Sequence, residues 1–373
     1  MSPVEADPQF RRQPQAPAAD EDDTSMKIVQ VGPYPPPYGG VARNLVAIRT
    51  FLRQRQIPCA VINITSHRSA DGEEVYHPTG PLALIRLLIR LRPDIIHIHF
   101  GGMLTPRLLA LYLVCTLLPG RTVLTFHSGG YPTSPEGQKA GPGSFAGRVF
   151  RRLDRLIAVN AGIAAFFRQI GVAPERIRTI VPHAASPGEV SDTLPPALDA
   201  FFSSHHPVLL SVGGLLPEYD VASQIAVIGD IRKVWPRAGL CAIGSGTLDG
   251  ELRRQAAATG HGDHILLAGD VAHPMTMRAI ARADLMLRTT QYDGDAISVR
   301  EALHFGTRVI ATDNGMRPAG VVVVPVGDRE ALRAAILREL AAPPAPRAAA
   351  SPAAADVSSL EEVLTVYREL VAE

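Results

Sequence analysis

The sequence predicts an α/β protein with two Rossmann-like, doubly wound domains facing each other across a cleft, and three observations lead to this prediction. Short apolar segments alternate with amphipathic helical stretches from Lys27 onward, as in a parallel sheet with helices on both faces. A second series of the same kind begins at Val208, after a segment rich in Ser, Pro and Ala. The 373 residues suffice for two domains of ordinary size.

The first domain is predicted over residues 26–186, and it follows a tail over residues 1–25. The tail has no apolar segment typical of a secretion signal, and its content of Pro, Gln, Asp and Glu is typical of disorder. Apolar runs predict five strands, at Ile28–Val31, Val61–Ile64, Ile95–Phe100, Val123–Phe126 and Leu156–Val159. Apolar residues at helical spacing, with Arg on the opposite face, predict helices at Val41–Gln54, Leu82–Leu91 and Ala161–Gln169.

The second domain is predicted over residues 187–345. Residues 183–207 are interpreted as a linker with a short helix. Six strands are then predicted, at Val208–Val212, Leu240–Ile243, Ile265–Ala268, Leu285–Leu287, Val309–Ala311 and Val321–Val324. A helix is expected over residues 328–340. After a segment rich in Pro and Ala, residues 356–372 form a last amphipathic helix that can pack on either domain, including back across the first.

Composition excludes several classes of protein. The net charge is +1 and charged residues make up 20% of the chain, so a nucleic-acid binder with a basic face is not indicated. The longest apolar run, Leu108–Leu118, is too short to span a membrane. Cys59, Cys115 and Cys241 are far apart and lack C-x-x-C spacing, which indicates neither a disulfide framework nor a zinc site. We expect a protein of the reducing cytoplasm.

The most informative motif is DGDAISVRE, which begins at Asp293 and ends at Glu301. It follows the predicted strand Leu285–Leu287 and leads into a helix, so both carboxylates lie at the carboxyl edge of the second sheet. Small molecules bind at that edge in open α/β sheets, and carboxylates accept hydrogen bonds from several hydroxyls at once. We therefore expect a sugar or a ribose here. The alternative for Glu301 is a capping box, since Ser298 and Glu301 fit S-x-x-E at a helix start.

Two further candidate sites follow strands of the first domain. Gly39 and Gly40 lie between the first strand and the helix at Val41, where backbone N–H groups can approach an anion. A tight turn without a ligand is the alternative. His127 ends a buried strand and is expected at the mouth of the cleft, where it can reach a ligand. The alternative is a histidine hydrogen-bonded within its own loop.

A dinucleotide-binding oxidoreductase is a competing hypothesis. Gly244 and Gly246 follow the strand Leu240–Ile243, and Asp270 follows the next strand as a candidate partner of a ribose. Gly250, however, comes four positions after Gly246, whereas the fingerprint requires three. The pattern therefore ranks below the carboxylate motif.

Three patterns admit a metal or a membrane surface as an alternative. His97 and His99 share one strand face, but no third ligand lies near them in sequence, so we interpret them as structural. The string Asp293–Asp295 resembles D-x-D sites that hold Mg²⁺, a use we do not expect in a chain with two Rossmann-like domains. Arg86 and Arg90 lie one turn apart on an apolar helix, which fits either an anionic membrane surface or a solvated helix face.

Taken in order, several segments resemble the retaining GT-B glycosyltransferases of family 4. They are the Gly-Gly turn after the first strand, PDIIHIH, the strand end TFH, the strand end AIGSG and the carboxylate pair. The resemblance extends over nearly all of Met26–Glu373. Its most specific part is Asp293–Asp313, which is similar to the family's two glutamates at that spacing, followed by EALxxGxxVIAxD.

The resemblance implies a role for each candidate residue. Glu301 would bind the ribose of a nucleotide donor, Asp293 the hydroxyls of the sugar, and His127 the sugar near its reacting end. Gly39 and Gly40, with backbone N–H groups near Ser298, would bind the diphosphate. Gly213 and Val271 complete the candidate donor-binding residues.

The sequence departs from the family pattern at one position that affects function. After the strand Val208–Val212 the family commonly places an Arg and then a Lys that bind the diphosphate, whereas this chain reads GGLLPEYD. Both cations are absent from that loop. We expect Arg288 to replace them, with Arg43 and Arg300 as weaker candidates.

The resemblance implies a glycosyltransferase that uses a nucleotide-sugar, most simply linked to UDP or GDP, and needs no metal ion or other cofactor. The acceptor would be a hydroxyl of a glycolipid, a polysaccharide or a small molecule. The expected location is the cytoplasm, with peripheral contact to the inner membrane face as an option, and no nucleic acid is expected as a partner. The alternatives are a catalytically weak or silent GT-B protein that binds nucleotide or glycan, and a GT-B sugar-nucleotide epimerase.

Overall fold

The computed structural model contains two parallel sheets with helices on both faces. It describes residues 21–35, 39–65, 73–183, 190–315, 317–343 and 357–373. The first sheet has seven strands in the order β3-β2-β1-β4-β5-β6-β7, and the second has six in the order β10-β9-β8-β11-β12-β13. In each sheet the first strand of the domain, β1 or β8, has the next two strands on one side and all later strands on its other side. The direction in which strands are added therefore reverses once. The predicted class of two Rossmann-like domains is confirmed.

The first sheet contains all five predicted strands and two short edge strands. Its strands are β1 Ile28–Gly32, β2 Cys59–Asn63, β3 Val75–Tyr76, β4 Ile95–Phe100, β5 Arg121–Phe126, β6 Arg155–Ala158 and β7 Ile177–Thr179. The central strands are buried on both faces, which is why they read as continuous apolar runs rather than as alternating ones. The edge strands β3 and β7 have two and three residues, too few to give a periodic signal.

Helices cover both faces of the first sheet. They are α1 Glu21–Ser25, α2 Gly40–Gln54, α3 Pro81–Leu91, α4 Pro106–Cys115, α5 Gly130–Thr133, α6 Pro135–Lys139, α7 Phe145–Phe150 and α8 Ala161–Gln169. Proline in the first turn begins α3 and α4, where its missing N–H costs nothing. Asn160 caps α8 by accepting a hydrogen bond from the Ile163 backbone N–H. The three predicted helices are confirmed to within one residue at each end.

The second domain repeats the arrangement. Its strands are β8 Val208–Val212, β9 Gly239–Ile243, β10 Ile265–Gly269, β11 Leu285–Arg288, β12 Arg308–Thr312 and β13 Val321–Val324. Its helices are α9 Pro196–Ser204, α10 Val221–Val234, α11 Asp249–Ala258, α12 His273–Arg282, α13 Ile297–His304 and α14 Arg329–Ala341. Buried clusters on the two faces of the sheet form its core. The short helix predicted in the linker is α9.

The last helix, α15 Ser358–Ala372, packs on the first domain. Leu360, Leu364 and Tyr367 join a buried cluster with Ile28 of β1 and Ile48 of α2. The helix therefore covers one face of the first sheet although it follows the second domain in sequence.

Polar contacts at the C-terminal end of α15 reinforce this packing. Arg155 pairs with Glu373 at 3.0 Å, and Arg178 pairs with Glu369 at the same distance. Arg368 donates from Nε to Asp23 at 2.8 Å, and the hydrogen bond from Arg368 lowers the pKa of Asp23. Because Asp23 belongs to α1, the prediction that residues 1–25 form a disordered tail is wrong for residues 21–25. Residues 1–20 lie outside the described part of the chain.

The two predicted domain boundaries fall on segments that the structure does not describe. Residues 184–189 include the boundary at 186, and residues 344–356 include the one at 345. The glycine turn is described at Gly39 and Gly40 but not over residues 36–38. The three cysteines are free and buried.

Candidate functional site

The candidate loops of both domains follow strands at which the strand order of the sheet reverses. The strand order reverses between β1 and β4 in the first sheet and between β8 and β11 in the second. Ligand crevices in open parallel sheets lie beyond the carboxyl ends of the strands at such a reversal. The loop after β1 carries Gly39 and Gly40, the loop after β8 carries Gly213, and the loop after β11 carries Asp293.

The loop after β11 contacts the loop after β5 directly. A Cβ added at Gly129 would lie 1.7 Å from the Asp293 carbonyl oxygen, and one at Gly294 would lie 1.8 Å from the His127 carbonyl oxygen. Asn160 donates a hydrogen bond from Nδ2 to the Gly294 carbonyl. The backbones of the two domains therefore meet without space for side chains, and this contact joins the loops of His127 and Asp293.

Asp293 is held by two arginines and a threonine. Arg288 donates from Nη2 to Oδ1 at 2.6 Å and from Nε to Oδ2 at 3.1 Å. Arg317 donates from Nη1 to Oδ2 at 2.8 Å, and Thr290 donates its hydroxyl to the same oxygen at 2.7 Å. Burial favours the neutral acid, but the charge and hydrogen bonds of Arg288 and the charge of Arg317 outweigh it and lower the pKa of Asp293 to about 2.

Arg288 has no nitrogen left unbonded. Besides the two bonds to Asp293, it donates from Nη1 to the Val212 carbonyl at 2.8 Å, and its guanidinium carbon lies 4.8 Å from the centre of the Tyr219 ring. The Arg288 guanidinium group is therefore engaged by the protein and is not an unpaired cation in the cleft. That Arg288 replaces the missing cations stays a prediction. Arg317, which no sequence motif marks, belongs to the same cluster.

Arg300, the weaker candidate cation, is also paired. It binds both oxygens of Asp295, with Nη2 at 2.6 Å from Oδ2 and Nε at 2.8 Å from Oδ1. Burial nevertheless raises the pKa of Asp295, against the opposing hydrogen bonds and charge of Arg300. The carboxylates of Asp293 and Asp295 are thus both paired with guanidinium groups. In the described part of the chain no group of three His, Cys, Asp or Glu side chains is placed to hold a metal ion.

Glu301 lies inside α13 and is buried, with only 3% of its surface exposed. His273, the first residue of α12, holds it through Nε2 at 2.8 Å from Oε1. The capping-box alternative is wrong, because α13 begins at Ile297 after an N-cap at Ala296 that makes no side-chain hydrogen bond. Ser298 is thus the second residue of the helix rather than its cap. Sequence reasoning missed His273, although a histidine before a proline, just beyond the end of β10, was a visible signal of a helix start at the ligand edge.

His127 lies on the first-domain side of the contact. Its Nε2 is buried and has no hydrogen-bond partner among the described residues, so this nitrogen gives no support to the alternative of a histidine hydrogen-bonded within its own loop. Burial lowers the pKa of His127 to about 3, and the ring is therefore neutral at physiological pH. It stacks on His99 with 6.1 Å between ring centres.

His97 and His99 are structural, as predicted. His97 bonds Thr125 through Nε2 at 2.7 Å and the Tyr367 hydroxyl through Nδ1 at 2.5 Å. His99 bonds Gln30 through Nε2 at 2.9 Å. These bonds connect β4 to its neighbouring strands and to α15.

Two helix N-termini meet across the cleft. Gly39 is the N-cap of α2 and makes no side-chain capping bond, and the same holds for Ala296 at α13. A Cβ added at Gly40 would lie 3.8 Å from the Ile297 side chain. The first N–H groups of a helix have no intrahelical partner, so two partly positive helix ends face the same space.

The structure describes the local surroundings of the remaining candidates. Gly213 packs beneath the Tyr219 ring, since a Cβ there would lie 2.4 Å from it. Val271 is half-buried and precedes α12 by two residues. Arg43 lies in the first turn of α2, half-buried. Gly246 packs on the Leu215 carbonyl, 2.3 Å from a Cβ built there, which assigns that glycine to loop packing.

Two family descriptions match the chain, one for each domain. Glycosyltransferase Family 4 matches residues 38–182, and Glycosyl transferases group 1 matches residues 200–354. No curated protein matches the sequence significantly. The nicotinamide-dependent oxidoreductase hypothesis has no support from either match.

Similar solved structures cover nearly the whole chain. Sucrose-phosphate synthase from Thermosynechococcus elongatus has 17% identity and a TM-score of 0.69 over 93% of this chain and 99% of that one. Anabaena HepE, in complex with UDP-glucose, has 17% identity and a TM-score of 0.61 over 93% and 98%. The catalytic domain of starch synthase IV from Arabidopsis thaliana, bound to ADP and acarbose, has 11% identity and a TM-score of 0.65 over 93% and 100%. At such identities these likenesses show the fold alone.

Proposed function

We propose that this chain, which belongs to the GT-B glycosyltransferases, transfers a sugar from a nucleotide-sugar donor to a hydroxyl acceptor with retention of configuration. One observation carries the proposal. The loop that carries Asp293 contacts the loop that carries His127, and the N-termini of α2 and α13, which have no side-chain caps, approach each other between the domains. The nucleotide ligands of the HepE and starch synthase complexes, UDP-glucose and ADP, support a nucleotide-linked substrate.

The diphosphate is the part of the donor that needs positive charge, and the helix ends would supply it. The N-termini of α2 and α13 each offer backbone N–H groups to an anion. The guanidinium groups of Arg288, Arg300 and Arg317 lie beside α13, but three carboxylates, those of Asp293, Asp295 and Glu301, match them in number. The helix ends therefore take the place of the Arg and Lys absent after β8.

The sugar would lie between His127 and the Asp293 loop. Neutral His127 has Nε2 available for a sugar hydroxyl. On Asp293, Oδ2 accepts three hydrogen bonds, whereas Oδ1 accepts one from Arg288. Oδ1 therefore retains capacity for one hydroxyl.

The chemistry follows from this placement. The bond between the anomeric carbon and the diphosphate oxygen breaks while the acceptor hydroxyl attacks from the same face, and the departing diphosphate takes the hydroxyl proton. Protein groups contribute by positioning both substrates and by stabilising the charge of the leaving group. No metal ion is required in this scheme, so turnover is expected to persist in a chelator.

A catalytically weak protein that binds nucleotide is the second candidate, and a specific observation favours it. Four hydrogen bonds from Arg288, Arg317 and Thr290 already engage Asp293, so a sugar must compete with buried cations for this acid. Such a protein would bind nucleotide-sugar and turn it over slowly.

The acceptor side belongs to the first domain, where α3 presents exposed apolar side chains. Leu82 is 71% exposed and Ile89 is 52% exposed, on the same helix as Arg86 and Arg90. Apolar and basic side chains together fit the surface of an anionic membrane, which favours a lipid-linked acceptor. No described helix combines the length and the apolar character that crossing a membrane requires.

A thermal-shift panel followed by turnover assays tests the proposal. UDP, GDP, ADP and their glucose conjugates are added separately, and a ligand at about 100 times its Kd stabilises the folded state by about 2.7 kcal/mol. Glu301→Gln, which keeps the shape and removes the charge, should abolish the shift, whereas Glu330→Gln on exposed α14 should not. Stabilisation with transfer to an acceptor supports the transferase, and stabilisation with negligible turnover supports the weak binder. Turnover of the donor to a second nucleotide-sugar without an acceptor would indicate an epimerase, and no stabilisation by any nucleotide would refute nucleotide binding altogether.

A further inference from the structure

We propose that His273 is the positioning residue for Glu301 and that it sets the preference of the donor site for a ribose over a deoxyribose. The inference rests on the proposed function, because it assigns the ribose of the donor to Glu301.

The contact between these two residues is enclosed and short. The side chains are 6% and 4% exposed, and Nε2 lies 2.8 Å from Oε1. His273 begins α12, where it follows the loop after β10, and Glu301 is the fifth residue of α13. The two helices pack side by side at the ligand edge of the second sheet. The pair is thus fixed by residues of two packed helices rather than by loop residues.

The contact leaves one carboxylate oxygen available. Oε2 of Glu301 makes no hydrogen bond to any described residue, whereas Oε1 is taken by His273. A carboxylate with one oxygen fixed cannot turn about its terminal bond, and it presents the other oxygen in a single orientation. A hydroxyl that binds Oε2 then pays little ordering cost, since the protein has ordered the acceptor beforehand.

The competing explanation is that the pair only stabilises the packing of α12 on α13. Under that explanation, loss of His273 weakens every ligand of the site to the same extent or simply lowers stability. Under the positioning role, the loss falls selectively on ligands that carry ribose hydroxyls. Ribonucleotides and their deoxy counterparts therefore separate the two explanations.

The experiment measures Kd by titration calorimetry for whichever of UDP, GDP and ADP binds, and for its 2′-deoxy and 3′-deoxy counterparts. Wild type is expected to bind the ribonucleotide about tenfold more tightly than the weaker deoxy form, the range of one hydrogen bond to a charged group. His273→Phe should weaken the ribonucleotide about tenfold and leave that deoxy form within about twofold. His273→Gln, whose amide nitrogen can take the place of Nε2, should restore most of the discrimination.

Two further variants keep the result interpretable. His273→Asn retains an amide on a shorter side chain, so it should fold but fail to restore the discrimination, even if His273→Phe does not fold. His304→Phe changes an exposed histidine at the end of α13 and should leave every Kd unchanged. Equal weakening of ribose and deoxyribose ligands by His273→Asn would overturn the positioning role and leave the proposed function standing. A wild type that binds nucleotide without discriminating against deoxy forms would also overturn it, whereas a wild type that binds no nucleotide would remove the proposed function itself.

Discussion

Asp293 and Glu301 are matched in sequence but not in environment. Asp293 sits between two guanidinium groups that keep it ionised, whereas Glu301 meets a single imidazole and retains an unbonded oxygen. A charged partner fixes an acid more firmly than an imidazole does, because the hydrogen bonds are charge-assisted. Asp293 is therefore suited to a fixed electrostatic role and Glu301 to exchange with a ligand.

Asp293→Asn should destabilise the protein strongly. The substitution leaves Arg288 and Arg317 buried without a carboxylate, and removing one partner of a buried ion pair costs about 3–5 kcal/mol. Chemical denaturation of the second domain, followed by circular dichroism, measures the loss. The control is Asp249→Asn, which breaks the exposed pair with Arg253 and should cost less than about 1 kcal/mol. Equal losses in the two variants would contradict the assigned ion-pair cluster.

Acid should remove the difference between wild type and Asp293→Asn. The pKa of Asp293 falls from a usual 3.8 to about 2 in the folded state, and a lowered pKa stabilises the fold only where the unfolded chain is also ionised. The contribution is therefore complete above about pH 5 and declines as the pH falls through 4 toward 2. Comparing the unfolding midpoints of the two proteins over this range cancels the other titrating groups. If the difference between the two unfolding midpoints grew as the pH fell, the assignment of a lowered pKa to Asp293 would be contradicted.

The sequence predicted the positions of the two acids but not their partners. A strand followed by a polar loop places a residue such as Asp293 at the ligand edge, because parallel strands end together. Whether that residue is free depends on contacts between separate loops. Arg317 lies 24 positions after Asp293, and His273 lies 28 positions before Glu301. Residues so far apart form no motif or periodic pattern that would reveal their contact. The same reason explains why Arg288 appeared available when its nitrogens are all bonded.

Strands and helices were predicted far better than caps. Central strands such as Ile95–Phe100 are buried on both faces, so their apolar runs mark their ends clearly. The capping-box alternative would have placed the start of α13 at Ser298, whereas the N-cap is Ala296. The cap of this helix makes no side-chain bond, so no residue type signals its start. A helix end with unsatisfied N–H groups at the ligand edge is consistent with an anion as the missing partner.

Because α15 packs on the first sheet, shortening a buried side chain of this helix should lower the stability of the protein strongly. Leu364 is fully buried against the cluster that includes Ile28 and Ile48, and Leu364→Ala should cost about 2–5 kcal/mol. Glu362→Ala, on the exposed face of the same helix, should change stability by less than about 0.5 kcal/mol. Thermal unfolding measures both. A small effect of Leu364→Ala would mean that α15 detaches before the first domain unfolds.

The chain path makes α15 a connection between the domains. It leaves the second domain after α14 and packs on β1 and α2 of the first, so the domains are joined twice, once by the linker before α9 and once by this return. The backbones of the two domains also touch directly, at the loops of Gly129 and Gly294, and we expect this contact to close the cleft.

Gly129→Ala should hold this cleft open. Gly129 has φ of −73° and ψ of −24°, a conformation that alanine adopts without strain, so the local fold should survive. Its new Cβ would nevertheless lie 1.7 Å from the Asp293 carbonyl oxygen, and the domains must separate to relieve the clash. We expect a larger radius of gyration in X-ray scattering and slower donor turnover, because His127 and the Asp293 loop no longer meet. Gly141→Ala, with no atom within 4 Å of the added Cβ, is the matched control and should change neither quantity. If Gly129→Ala kept the wild-type radius and rate, closure would not pass through this contact, and the catalytic groups would have to assemble in another arrangement of the domains.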